Sequence, residues 1–196
     1  MTVDEVMDEV RKDVAFYETS GGGVTFSGGE PAVHARCVQA VLSQCRREGI
    51  GTAVETCGHV PWENLESLVP FTDLFLYDVK HMDSRIHEVW TGVPNERILS
   101  NLRQLVAVRA EIVVRTPVVP GFNADPASVG EIAQHVAWLK RVLRLELLPY
   151  HNYGLAKYSR LGREYRLSDT RPPDAELMEE LAGAARAFGV EVQVGG

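Results

Sequence analysis

TDLFLYDVKHMD, residues 72–83, is the stretch that decides how this chain folds. Its centre, DLFLYDVK (73–80), is a short apolar and aromatic run, the pattern of a strand covered on both faces. It turns polar only at its C-terminal end, at Asp78 and Lys80. Upstream come a helix near 61–69, the strand-like TAVET (52–56), a helix-like stretch over 33–48 ending at Gly49, and the short run VTFSGGEP (24–31). Before these, residues 2–18 read as one helix. Thr2 and Glu5 fit a capping box, Val3, Val6, Val10 and Val14 form a stripe, and Gly21 to Gly23 stop it. Downstream, a helical region spans about 83–109, EIVVRTPVVPG (111–121) is strand-like, and a helix covers about 126–142. RLELLPYH (144–151), an irregular stretch over 152–172, a helix at 174–188 and VEVQV (190–194) complete the chain. Regular alternation of helices with apolar strands predicts an α/β fold. It has a parallel sheet with helical crossovers, as one domain over residues 1–196.

Composition narrows the function. The 196 residues carry 45% hydrophobic and 24% charged side chains, those of an ordinary globular protein. A net charge of −7 argues against nucleic-acid or anionic-membrane partners, which call for a basic surface. No apolar run approaches the ~20 residues of a membrane span. The N-terminus is acidic where a signal peptide is basic and apolar, so the default expectation is a cytoplasmic location. The three cysteines, Cys37, Cys45 and Cys57, form no C-x-x-C cluster and no disulfide framework. Cys37, Val41 and Cys45 follow one another at four-residue steps, which predicts a buried helix face.

Chemistry gathers at the strand ends. The first strand ends in Ser27-Gly28-Gly29-Glu30 and the second in Glu55-Thr56-Cys57-Gly58. The third ends in Asp78 and Lys80, the fourth carries Arg115 and Thr116, and the fifth ends in Tyr150-His151-Asn152. In a β/α barrel such ends converge on one rim. Glu30, Glu55, Asp78, Lys80, Arg115 and His151 are therefore expected around one pocket. Each also has a plain structural reading. Aspartate and asparagine cap helices and turns, Gly-Gly marks a turn, a lysine is solvated, and a histidine is satisfied in a core. Five polar strand ends in succession favour a site.

In order along the chain, GGGVTFSGGEP (21–31), REGIGTAVETCGHV (47–60), TDLFLYDVKHMD (72–83), IVVRTPVVPGFN (112–123), LELLPYHNYGLAKY (145–158) and PPDAELMEEL (172–181) resemble one family. That family is the pyruvate formate-lyase activating enzyme and its relatives, radical S-adenosylmethionine (SAM) enzymes that activate glycyl radical enzymes. The resemblance implies a partial parallel (β/α) barrel, with SAM as cofactor and cosubstrate. Ser27, Gly28, Gly29 and Glu30 match the motif that holds the SAM amino group. Asp78 and Lys80 match residues near its carboxylate, which the lysine would pair through a charge-assisted bond. Glu55, Thr56 and Asp78 match a monovalent-cation site, with Glu55 standing where the family pattern has aspartate. Arg115 matches an arginine on the SAM side of the pocket, and His151 a histidine near the adenosine. Implied partners are a glycyl radical enzyme of the pyruvate formate-lyase kind and an electron donor such as flavodoxin or ferredoxin. The implied reaction forms a glycyl radical through a 5′-deoxyadenosyl radical.

The family also begins with a strand and a C-x-x-x-C-x-x-C loop that binds a 4Fe–4S cluster. This sequence opens on what resembles the helix after that loop, and its cysteines, eight and twelve residues apart, do not reproduce the motif. The expectation is a barrel without its first strand and without cluster ligands, inactive alone and weak in SAM binding. An internal start, a split subunit and a degenerate paralogue each account for this, and retention of the pocket residues favours the first. Two other readings stand beside the enzyme: a non-catalytic binding module for the partner, and an aldolase-type barrel with Lys80 as Schiff-base lysine.

Overall fold

The computed structural model describes residues 2–152, 162 and 167–195. The end of the LELLPYHNYGLAKY stretch and most of the irregular segment expected over 152–172 lie outside the described residues. The strands are β1 (Gly23–Phe26), β2 (Gly51–Thr56), β3 (Leu74–Asp78), β4 (Ile112–Val118), β5 (Arg144–Pro149) and β6 (Val192–Val194). They form one sheet in sequence order. The pairs β1–β2, β2–β3 and β5–β6 are parallel, with Thr25 opposite Ala53, Glu55 opposite Leu76 and Leu145 opposite Val192. The helices between them are α1 (Val3–Arg11), α2 (Val14–Ser20), α3 (Ala35–Arg47), α4 (Trp62–Glu66), α5 (Ser84–Thr91), α6 (Glu96–Ala107), α7 (Pro126–Leu139) and α8 (Ala175–Arg186). The chain divides into two compact units.

The first unit comprises residues 1–79, 95–114 and 141–143. Its helix α1 starts on the capping box read from the sequence: Thr2 Oγ1 accepts from Glu5 N, and Glu5 Oε2 accepts from Thr2 N. The single helix expected over 2–18 is broken. Lys12 N and Asp13 N each reach back only three residues, to Glu9 and Val10, and α2 restarts at Val14. The break lets Val14 and Tyr17 join Val3, Val6 and Val10 on one core with Val41, Cys45 and Ile50. Packing overrides the continuation of helix that local propensity favours. Cys37 corrects a second expectation, for it is exposed while Cys45 is buried. A four-residue step overshoots a helical turn by about 40°, so a row of such steps drifts off the face it starts on. The buried set is Ala35, Val38, Val41, Leu42 and Cys45.

The second unit comprises residues 80–94, 115–140 and 144–196. Its helix α7 opens at Asp125, whose Oδ1 accepts from Ser128 N at 2.9 Å, with Pro126 in the first turn. It stops at Leu139, earlier than expected, because Lys140 takes a left-handed conformation at φ 60°. Helix α7 packs against α8 through apolar faces that include Ile132, Ala133, Met178 and Leu181. No helix among the described residues is long and apolar enough to cross a membrane.

Candidate functional site

Strand alternation sorts the polar residues of the first unit. On β2, Thr52, Val54 and Thr56 are buried while Ala53 and Glu55 are half-buried. On β3, Phe75 and Tyr77 are buried while Leu74, Leu76 and Asp78 are half-buried. The register places Glu55 beside Leu76, so Glu55 and Asp78 share the half-covered face at the C-terminal ends of adjacent strands. Thr56 and Tyr77 point to the other face. Thr56 Oγ1 is committed there, donating to Glu30 Oε1 at 2.7 Å and accepting from Gly58 N at 2.9 Å.

The Ser27-Gly28-Gly29-Glu30 loop follows β1. Ser27, Gly28 and Gly29 are exposed. Gly28 has φ +122°, and a side-chain carbon built on it or on Gly29 would meet nothing within 4 Å. The loop therefore presents main-chain groups to open space in a conformation that glycine adopts without strain. Glu30 holds its base. Its Oε1 accepts from Ala32 N at 3.2 Å and from Thr56, and its Oε2 accepts from Cys57 N at 3.0 Å and Cys57 Sγ at 3.2 Å. This carboxylate thus ties the β1 loop to the end of β2. A cavity of about 390 Å³ beside the loop is lined by Ser27, Gly29 and Glu30 but also by Phe26 and Val38. Val38 of α3 is in its lining, and Glu55 and Asp78 are not.

The same unit holds buried polar contacts that sequence pattern did not single out. Tyr77 is fully buried and donates to Ile98 O at 2.7 Å. Burial pushes its phenol well above the usual range, with Cys57, Glu30 and Asp78 adding negative charge nearby. Asn101 donates to Gly58 O at 2.8 Å and Val60 O at 2.9 Å. The available signal was a polar side chain inside the apolar repeat of α6.

In the second unit, Lys80 is half-buried and lines a slot of about 190 Å³ with Trp90, Pro117, Val119 and Phe122. Arg115 and Pro117 are half-buried on β4, whereas Thr116 is buried and points to the opposite face. His151 is exposed just beyond β5, after buried Tyr150. His81, next to Lys80, is buried and stacks on Phe122 at 5.5 Å, which in turn stacks on Trp90 at 4.8 Å. His81 Nδ1 accepts from Asp83 N at 2.9 Å.

The three cysteines lie in different surroundings. Cys45 is fully buried, with its sulfur 3.7 Å from that of Met7. Cys37 lies eight residues away on the same helix, about 12 Å along its axis, and is exposed. Cys57 is turned to Glu30.

Comparison with known proteins places this arrangement. Residues 1–129 match the model of the Radical SAM superfamily. The isethionate sulfite-lyase activating enzyme of Nitratidesulfovibrio vulgaris is 44% identical over 92% of this chain and 58% of its own. The pyruvate formate-lyase 1-activating enzyme of Escherichia coli is 36% identical over 98% of this chain and 79% of its own. A solved domain of a pyruvate formate-lyase activating enzyme from Bacteroides vulgatus superposes with a TM-score of 0.76 at 31% identity, covering 89% of this chain and 99% of that one. The chain spans about 60% of the length of several curated relatives it matches.

Proposed function

This chain belongs to the radical SAM superfamily, among the activating enzymes of glycyl radical enzymes, and from that premise we propose that it binds SAM and abstracts hydrogen from a glycine of a partner glycyl radical enzyme. The observation that carries the reading is the placement of Glu55 and Asp78 on one half-covered face of β2 and β3, with Lys80 two residues on in sequence. Acidic groups, a lysine and open main-chain groups answer the charges of a methionyl ammonium, carboxylate and sulfonium. Membership implies SAM and a 4Fe–4S cluster as cofactors. Bound together, they supply a one-electron cleavage that yields a hydrogen-abstracting carbon radical.

The residues fit SAM. The open Gly28-Gly29 loop suits the methionyl ammonium through its main chain, and the engaged carboxylate of Glu30 supports a bracing role there. Lys80 takes the carboxylate, Arg115 lies on the SAM side, and His151 serves the adenosine. Glu55 and Asp78 offer carboxylates to a monovalent cation, to which Thr56 would contribute its main chain, since its hydroxyl is bonded elsewhere. The three cysteines do not fit the cluster, and the burial of Cys45 supports placing its ligands outside these 196 residues. The partner is a large glycyl radical enzyme, of the class that includes the lyases named in the relatives. A flavodoxin- or ferredoxin-type protein is the electron donor, and the setting is cytoplasmic.

The test loads the full-length enzyme with its cluster and adds SAM, a one-electron reductant and a glycyl radical enzyme. A glycyl radical signal in electron paramagnetic resonance, with stoichiometric 5′-deoxyadenosine, is the expected result. Steady 5′-deoxyadenosine formation with no radical on any of a panel of such partners would overturn the assignment.

A further inference from the structure

Asn123 follows the Pro120-Gly121-Phe122 turn at the end of β4 and is fully buried. The turn is closed by its own main chain, as Phe122 N and Asn123 N donate to Val119 O at 3.0 and 3.2 Å. The Asn123 side chain does something more. Its Oδ1 accepts from Val119 N at 2.7 Å, and its Nδ2 donates to Pro117 O at 2.9 Å and to Lys80 O at 2.7 Å. Both amide hydrogens are thereby used. Two of these bonds satisfy the turn. The third crosses to another strand connection, where Lys80 lies two residues beyond the end of β3.

That third bond sets where the Lys80 side chain starts. A lysine stem has four rotatable bonds, so its ammonium is directed only if its main chain and stem are held. Lys80 borders one narrow slot together with Trp90, Pro117, Val119 and Phe122, which limits the paths its stem can take. The neighbouring His81 ring is stacked on Phe122, the residue before Asn123. Phe122 and Asn123 therefore hold the Lys80-His81 pair, one by ring contact and the other by a hydrogen bond from a buried amide. We propose that Asn123 is a positioning residue for Lys80, aiming its ammonium at the carboxylate of the bound methionyl group. The inference rests on the reading of Lys80 as the carboxylate's partner.

The test compares SAM with decarboxylated SAM, which lacks only that carboxylate, by equilibrium binding to the cluster-loaded full-length enzyme. Asn123→Ala is expected to weaken SAM about tenfold and to leave decarboxylated SAM within about twofold, the size of a lost bond to a charged group. Asn123→Ser keeps one donor and is expected to fall between, which guards against a poorly folded Asn123→Ala. In a Lys80→Ala background, Asn123→Ala should change the ratio no further. Equal losses for both ligands would show that Asn123 only stabilises the turn and would overturn the proposal. So would an unchanged ratio in both Asn123 variants when Lys80→Ala lowers it. An unchanged ratio in Lys80→Ala itself would instead remove the reading of Lys80 on which the proposal stands.

Discussion

Gly58 shows how closely the site's support is built. It has φ +69°, and a side-chain carbon there would lie 1.7 Å from the Tyr77 hydroxyl. Tyr77 cannot yield easily, since it is fully buried and bonded to Ile98 O. Gly58 N and O are both engaged, by Thr56 and Asn101. Gly58→Ala combines backbone strain with a clash and should cost about 3 kcal/mol or more. Gly183, exposed within α8 with nothing near a built side-chain carbon, is the contrast. Gly183→Ala should stabilise by about 0.5–1 kcal/mol through helix propensity alone. Urea unfolding of both variants measures the difference, and equal effects would show that the Gly58–Tyr77 contact is soft.

At the scale of elements, α1 and α3 meet through two kinds of contact, and magnitudes decide between them. On the surface, Arg11 donates to both carboxylate oxygens of Glu48, at 3.0 and 2.7 Å. The hydrogen bond from Arg11, with a second from Gln44, holds the Glu48 carboxyl down to about 2. The depressed value means that the pair's contribution is present above the ordinary carboxylate range and lost as pH falls toward 2. Solvent screening keeps such an exposed pair weak. Inside, Met7 is fully buried against Cys45, Val41 and Ile50. Met7→Ala should therefore cost about 2–5 kcal/mol. Glu48→Gln should barely alter the melting temperature at neutral pH and should flatten its fall in acid. A large loss for Glu48→Gln at neutral pH would reverse this ranking.

For the whole molecule, the decisive quantity is iron. Anaerobic reconstitution of the 196-residue chain with iron and sulfide should leave near-zero iron after desalting. Retention of roughly four irons per chain, a full cluster, would mean that Cys37, Cys45 and Cys57 regroup in a way their present positions deny. The expected alternation of helix and strand, the capping box at Thr2 and the polar strand ends at Glu55, Asp78 and Lys80 were legible in the sequence. Each depends on local chemistry: period-2 and period-3.6 patterning, a three-residue cap, and apolar runs that end in charge. The family motifs were legible for the same reason, because they are contiguous. The break in the first helix was not legible, nor was the exposure of Cys37, because packing across α1, α2 and α3 selects which residues face the core. The bond from Thr56 to Glu30 was hidden as well, since it depends on the register of β1 against β2. The grip of Asn123 on Lys80 joins residues 43 apart in sequence. Local patterning is enough to set the order of elements and the kinds of side chain at their ends. Which face each side chain takes, and which partner it bonds, follows from contacts between distant segments that no local pattern encodes.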